Sequence, residues 1–331
     1  MSVLIVIVNY RTPALVVECL RSLQAELQPN DHASVVVVDN ASGDGSPAHI
    51  GAAIVAEGWS PWVRLVESQL NGGFSFGNNV AIRPALEGAS PPDYFWLLNP
   101  DTQVRPGALS GLIEFLRAHP DVGIAGSAIE EEDSQPWPYA FRFPSLLSEL
   151  DRGLRLGFVT RLLGRWTILR RMNGHPEQVD WVAGASMMVR REVFDAIGLM
   201  DEQYFLYFEE TDFCLQALRA GWACWYVPCS VVMHLSGRST GLSHKHAKPK
   251  RMPKYWFDSR RRYFIKNRSR AYAVATDLVF ILSFAIWRIR RAIQRREDSD
   301  APYLLHDFVR HSALLTADIH GNPAVPARPE T

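Results

Sequence analysis

The sequence predicts an α/β fold, with a mostly parallel sheet flanked by helices and a basic, apolar helical segment toward the carboxyl end. Short Val/Ile/Leu runs alternate with segments of helical period through the first hundred residues. Several of these runs end in Asn and Asp. Charge is unevenly spread along a chain whose formal net charge is zero. The 331 residues, 47% of them hydrophobic, suffice for one large domain or two small ones.

Val3–Val8 reads as the first core strand, closed by Asn9-Tyr10-Arg11-Thr12-Pro13. The run is too short for a secretory leader and lacks a basic start. Pro13 suits the first turn of a helix, with Thr12 as its cap. Leu15, Val16, Cys19, Leu20 and Leu23 follow at helical spacing. Ser34–Val38 is the second strand and delivers Asp39 at its carboxyl end. Strand, helix and strand within about forty residues make a βαβ unit, so the sheet begins parallel. Asp39 can hydrogen-bond a base or ribose there, or simply form a turn with Gly43 and Gly45.

Val63–Val66 is a third strand, leading into Asn71-Gly72-Gly73-Phe74-Ser75-Phe76-Gly77-Asn78-Asn79. We expect a tight glycine-rich turn running into a helix around Val80–Leu86. Its glycines permit close approach of a ligand, and a helix start favours anions. The spacing matches neither a Walker A loop nor a dinucleotide fingerprint.

Tyr94–Leu98 is bulky and apolar, as a strand covered on both faces should be. Pro100 stops the ladder, leaving Asn99 and Asp101 at the carboxyl end, where open α/β sheets bind ligands. A carboxylate there can hold a divalent cation, and the cation a diphosphate. A strand followed by a Pro-Asp turn reads the same.

Gly107–Ala118 is an amphipathic helix and Val122–Ile129 a strand. Pro136, Trp137, Pro138 and Pro144 mark a loop, and Leu150–Arg171 reads as helix with basic residues on one side. Val179–Val189 resumes strand character, with small residues at 183–186 where something packs close. Arg191–Ile197 is a helix ending before Gly198. Phe205, Tyr207 and Phe208 then lead to Glu209, Glu210 and Asp212. Acidic residues favour a first helical turn, which a helix over Asp212–Ala220 would use. Three carboxylates in four residues also suit acid–base chemistry. Trp222–Pro228 and Ser230–Met233 are two short strands, closed by His234 with Gly237, Arg238 and Ser239, all useful around phosphate.

Cys19, Cys214, Cys224 and Cys229 form no C-x-x-C pair. Buried reduced thiols and a cytoplasmic location are expected. From Lys245 to Arg296 sixteen Lys/Arg face only Asp258 and Asp277, with Tyr255, Trp256, Phe257, Tyr263 and Phe264 interleaved. Ala271–Ile289 is largely apolar. It can span a membrane, lie in an anionic interface or cap the core as an ordinary helix. The interfacial placement is the expectation here. Nucleic acid is the other use of such charge, but no reader motif accompanies it. His306–Leu315 suggests one more helix, followed by a frayed end.

Seven pieces stand in one order: Val8-Asn9-Tyr10, Val38-Asp39-Asn40, Asn71 to Asn79, Leu98-Asn99-Pro100-Asp101, Gly184-Ala185, Phe208 to Asp212, and His234 with Gly237 and Ser239. In these pieces the chain resembles glycosyltransferase family 2 with the glycosyltransferase A fold, and within it the rhamnosyltransferase-like branch that extends lipid-linked glycans. The resemblance implies a Rossmann-like mixed sheet and a catalytic domain over 1–240, divided into a nucleotide-sugar half (1–105) and an acceptor half (106–240). A membrane-associating segment (241–296) and a C-terminal helix and tail (297–331) would follow. It also implies donor binding by Asn9, Tyr10, Asp39, Asn71, Gly72, Gly73, Asn78, Asn99, Asp101 and Arg238. Asp39 would meet the base. Asp101 and His234 would hold Mg2+ or Mn2+, with Asn99 where the family has its first acid. Glu210 would be the catalytic base, flanked by Glu209 and Asp212, in a Glu-Glu pair where the family has Glu-Asp.

The implied reaction is an inverting transfer of rhamnose from a dTDP-sugar. A UDP-hexose is the alternative donor. The acceptor would be a polyprenyl-diphosphate-linked glycan or polysaccharide at the inner face of the cell membrane. The basic segment gives a physical motive for a lipid-linked acceptor, because docking confines enzyme and acceptor to one surface. A sugar-nucleotide pyrophosphorylase would need a basic glycine-rich loop after the first strand, which Asn9–Pro13 does not supply. A non-catalytic nucleotide- or glycan-binding membrane protein leaves Asp101, Glu210 and His234 without a purpose.

Overall fold

The computed structural model describes residues 1–27, 33–131, 135–235 and 249–316. The chain opens with β1 (Val3–Asn9), α1 (Pro13–Glu26), β2 (Ala33–Asp39), α2 (Ser46–Ala56), β3 (Val63–Glu67), α3 (Gly73–Leu86), β4 (Tyr94–Leu98) and β5 (Thr102–Val104). It continues with α4 (Ala108–Ala118), β6 (Val122–Glu130), β7 (Pro136–Trp137), β8 (Tyr139–Phe141), α5 (Leu146–Leu154), α6 (Gly157–Leu162), β9 (Leu169–Arg171) and β10 (Glu177–Val179). The remainder is β11 (Ser186–Arg190), α7 (Arg191–Ile197), α8 (Glu209–Arg219), β12 (Ala223–His234), α9 (Lys254–Asn267), α10 (Arg270–Ile293) and α11 (Leu304–Arg310).

The main sheet runs β10-β12-β6-β11-β4-β1-β2-β3, with β5 on β12 and β7 on β6. β4, β1, β2 and β3 are mutually parallel, as the βαβ reading requires. β11 is antiparallel to both β4 and β6, whereas β12 is parallel to β6, so the sheet is mixed. The parallel strands are apolar on both faces because each face has its own cluster. Ile5, Ile7, Val37 and Trp96 pack with α1, and Val6, Val38, Phe95 and Leu97 pack with α3. Trp96 can be buried because its indole N–H donates to Ser186 Oγ at 2.9 Å.

Four expectations about the sheet and the segments around it change. First, the glycine-rich stretch is mostly helix, since α3 begins at Gly73. A Cβ on Gly73 (φ 85°) would stand 1.8 Å from the Phe205 carbonyl oxygen, and one on Gly77 2.6 Å from a Val8 methyl. These glycines admit the chain's own backbone and core to α3. Second, Leu150–Arg171 is not one helix. Arg155 turns left-handed (φ 50°) after α5, and Leu169–Arg171 pairs with β8. Third, Pro136–Trp137 pairs with β6 rather than looping free. Fourth, β12 is one strand. Its register slips between Val227 and Val231, so Pro228 falls in an irregularity where no ladder N–H is required.

The basic region is packed onto the body. α9 directs Arg262 and Lys266 at Asp201, and Lys266 also at Asp212. Arg260 is buried between Glu149 of α5 and Asp277 of α10. Much of the positive excess is therefore spent on internal ion pairs. The helix expected around His306–Leu315 is the shorter α11.

Candidate active site

The carboxyl ends of β1, β2 and β4 and the start of β11 share one edge of the sheet, as their registers require. There the Asn9 amide donates to Asp39 Oδ1 at 2.6 Å, and Ser42 Oγ donates to the same oxygen at 2.6 Å. The Ser42 backbone N–H donates to Asp39 Oδ2 at 3.0 Å. Asp39 is thus a buried, locked carboxylate. Ser42 is a member of this corner that the sequence does not single out. Arg11 (φ 59°) closes the same corner, its backbone N–H donating to Ser42 Oγ at 2.9 Å. Its guanidinium lies 5.1 Å from the Tyr10 ring centroid.

Asn71 caps the start of α3. Its Oδ1 accepts from the Gly73 N–H at 3.1 Å and from the Asn40 amide at 2.9 Å. Gly72 is held beside the Phe76 ring. Asn78 donates back to the Phe74 carbonyl within its own helix at 2.9 Å.

Asp101 lies between β4 and β5, immediately before Thr102, and is buried. His234, the last residue of β12, approaches it with Nε2 at 3.2 Å from Oδ1. Two pairings create this meeting: β5 runs antiparallel to β12 with Thr102 opposite His234, and the Leu235 N–H donates to the Asp101 carbonyl at 2.9 Å. One carboxylate oxygen and one imidazole nitrogen do not make a closed structural metal site, and no cluster of three such ligands occurs among the described residues. The pair suits a divalent cation with coordination positions left open for phosphate oxygens and water. Nearby, burial pushes the Cys19 thiol up to about 12, which keeps it neutral. Arg238 lies outside the described residues.

The Asn99 N–H donates to the Ala185 carbonyl at 3.2 Å, which ties the strand end to the small-residue turn before β11. Space there is short. A Cβ on Gly184 would stand 2.9 Å from the Phe74 ring and 3.8 Å from Glu210 Oε1. The Gly184 backbone N–H hydrogen-bonds the Glu210 carboxylate. Four pieces far apart in sequence thus meet around Glu210.

α8 begins at Glu209, earlier than the sequence suggested, so all three acids lie in its first turn. The approach is strained: Tyr207 and Phe208 are successive left-handed residues, φ 70° and 68°. α9 holds them in place. Tyr255 stacks on Tyr207, Trp256 and Tyr263 flank Phe208, and Ser259 Oγ donates to the Leu206 carbonyl at 3.0 Å. The three acids then differ. Asp212 accepts from Lys266 Nζ and from the Asn267 amide, each at 2.6 Å. Glu209 is only 4% exposed, and its Oε2 has no hydrogen-bond partner. Burial and the adjacent Glu210 carboxylate hold its acid well above the usual range. Burial also raises Glu210, opposed by hydrogen bonds from its own N–H and that of Gly184. Of the pair, Glu209 is pushed up the further, because the Glu210 charge adds to its burial. Glu210 Oε2 is likewise without a protein partner.

The family model described as glycosyltransferase like family 2 matches residues 2–248. The N-acetylglucosaminyl-diphospho-decaprenol L-rhamnosyltransferase of Mycobacterium tuberculosis is 32% identical over 217 residues, covering 63% of this chain and 68% of that protein. Rhamnosyltransferase WbbL of Escherichia coli K12 is 28% identical over 49% of this chain and 60% of its own. Among solved structures, GalNAc-T7 with UDP, GalNAc and Mn2+ aligns with a TM-score of 0.59 at 14% identity, covering 94% of this chain and 58% of that one. This chain therefore spans just over half the length of GalNAc-T7. The mannosyltransferase PcManGT of Pyrobaculum calidifontis, with GDP-Man and Mn2+, aligns with a TM-score of 0.50 at 18% identity, covering 93% and 69%. The chain belongs to glycosyltransferase family 2 and has the glycosyltransferase A fold.

Proposed function

We propose that this glycosyltransferase moves L-rhamnose from dTDP-rhamnose, with inversion, to a hydroxyl of a polyprenyl-diphosphate-linked glycan. The observation that carries the reading is the meeting at one sheet edge of the Asp101–His234 pair, the locked Asp39 and, beside the Gly184 turn, the buried Glu210. The choice of sugar and acceptor is supported by the names of the mycobacterial and WbbL relatives.

Asp39 would accept the imide N–H of the donor base, in the orientation that Asn9 and Ser42 fix. Asn71 and Gly72, just before α3, would face the donor, with Gly73 fixing their turn through its N–H to Asn71 Oδ1. Asn99 would shape the turn beside Asp101. Asp101 and His234 would hold the divalent cation, Mg2+ or Mn2+. When bound, that cation supplies positive charge to the departing diphosphate. Glu210 would take the proton of the acceptor hydroxyl as its oxygen bonds to the anomeric carbon and the bond to the diphosphate oxygen breaks. A single displacement of this kind needs no carboxylate nucleophile. Glu209, neutral, would add no second charge. Asp212 would fix the helix through Lys266 and Asn267.

The outer face of α10 would dock the enzyme at the inner face of the membrane, where Leu282, Ile286 and Ile289 stand exposed. Thermal-shift titration with dTDP-rhamnose and a UDP-hexose, each with Mn2+ and with chelator, tests the donor. The expected result is metal-dependent stabilisation by dTDP-rhamnose. A preference for the UDP-sugar would overturn the rhamnose assignment and leave the transferase standing.

A further inference from the structure

The excursion over residues 157–171 is used neither by the site nor by the core. It presents four large apolar side chains to solvent: Phe158 is 71% exposed, Leu162 72%, Trp166 43% and Leu169 50%. Scattered exposed apolar residues are ordinary, but four within twelve residues form a patch. The charge around them has one sign. From Arg152 to Pro176 the sequence has six arginines and no acidic residue. Three of these are held: Arg152 by Glu149, Arg155 by Asp300 and Arg170 by Glu177. Arg161, Arg165 and Arg171 are exposed and pair with no carboxylate among the described residues.

The excursion also starts beside α10. Arg290 donates to the Leu154 and Arg155 carbonyls at 2.9 Å each. The Arg155 guanidinium lies 5.3 Å from the Phe284 ring centroid and 5.5 Å from that of Trp287. Residue 157 thus leaves the body from the carboxyl-terminal half of α10, the helix whose outer face is apolar.

We propose that residues 157–171 are a second membrane-docking element, inserting Phe158, Leu162 and Trp166 among the lipids of an anionic bilayer while Arg161, Arg165 and Arg171 meet the headgroups. Apolar side chains between unpaired cations match that surface, since insertion and charge attraction add. A protein partner would need acidic groups around an apolar centre. The inference deepens the membrane side of the proposed function, but its test does not depend on any sugar being transferred.

The experiment is co-sedimentation of the full chain with phosphatidylglycerol/phosphatidylcholine vesicles and with phosphatidylcholine vesicles alone. A Phe158→Ser, Leu162→Ser, Trp166→Ser variant and an Arg161→Glu, Arg165→Glu variant are run beside it, α10 being intact in both. Each variant is expected to bind anionic vesicles at least about tenfold more weakly, with unchanged melting temperature and unchanged turnover on a water-soluble acceptor. Full binding by both variants overturns the proposal. So does a change in oligomeric state with vesicle binding untouched, which would make the patch a contact between copies. Absence of transfer by the wild-type chain, with vesicle binding weakened in both variants as expected, would count against the proposed function alone.

Discussion

Lys266 Nζ lies 2.6 Å from Asp212 Oδ2 and 2.7 Å from Asp201 Oδ2, so one ammonium ties α9 both to the loop that leads to Glu210 and to the first turn of α8. Asp212 is buried and Lys266 is about one-third exposed, so screening weakens the contact without abolishing it. The base helix and the basic segment are therefore one mechanical unit. Lys266→Met should lower the melting temperature by about 2–4 °C. Differential scanning calorimetry reads this directly. An unchanged melting point would leave the clamp without weight.

Glu210→Gln should lose roughly 10²–10⁴-fold in kcat while donor affinity holds. Asp212→Asn should cost far less, because its partners place the helix and do not touch the reacting hydroxyl. Single-turnover rates with saturating donor separate the two. A larger loss in Asp212→Asn would move the base.

The acid limb of kcat/KM should lie above the ordinary glutamate range, since burial raises Glu210 and only the ionised form can accept a proton. Activity is then lost as pH falls through that raised value. Glu209→Gln should leave the limb in place and turnover close to wild type, because Gln imitates a carboxyl that already holds its proton. The same substitution should stabilise the fold toward alkaline pH. Below the ordinary carboxylate range the folded and unfolded chains both hold the Glu209 proton. Above it only the folded chain does, so each rise in pH costs the wild type stability that the variant keeps. A pH series of melting temperatures checks this, and parallel curves for the two proteins would contradict it.

Asp101→Ala and His234→Ala should each remove the metal-dependent part of donor-induced stabilisation. Titration calorimetry with Mn2+ and nucleotide diphosphate measures the effect. Wild-type donor affinity in Asp101→Ala would end the metal role.

The parallel half of the sheet was legible because strands buried on both faces must be apolar throughout, and β1, β2 and β4 are. The placement of Asn9, Asp39 and Asp101 at the carboxyl edge of the sheet was legible for the converse reason: polar residues and Pro100 close the apolar runs, so the strands end there. What escaped was long-range. Nothing near Gly73 announces the Phe205 carbonyl against it, 132 residues later. Nothing in the charge count separates arginines that face solvent from Arg260, which is buried between Glu149 and Asp277. Composition registers charge and is blind to pairing.

That buried set carries its own expectation. Removing one partner strands the others in a dry interior, so Asp277→Ala should cost about 3–5 kcal/mol. Asp277 Oδ2 also accepts the Ala313 N–H at 2.7 Å, which links α10 to the segment after α11. Urea unfolding measures the loss. A change below roughly 1 kcal/mol would mean that the interior readily admits water to the remaining charges.

The last expectation concerns how α10 meets the bilayer. The helix is long and apolar enough to cross a membrane by composition, but one face carries Asp277, Phe280, Phe284 and Trp287 into the protein. Crossing would strip α5, α9 and α11 from that face and leave Asp277 and Arg260 apart. The opposite face, with Leu278 42% and Leu282 63% exposed, is free to enter lipid from the side. Cutting the chain at Lys245 would not isolate this contact, because α9 also clamps the loop before Glu210. A Leu282→Ser, Ile286→Ser, Ile289→Ser variant keeps the packed face and removes only the outer one. It should bind anionic vesicles roughly a hundredfold more weakly, three inserted side chains being lost. Wild-type binding should fall as salt rises, because the cationic part of the attraction is screened. Retention through high salt and alkaline washing, in wild type and variant alike, would mean that α10 crosses the membrane after all.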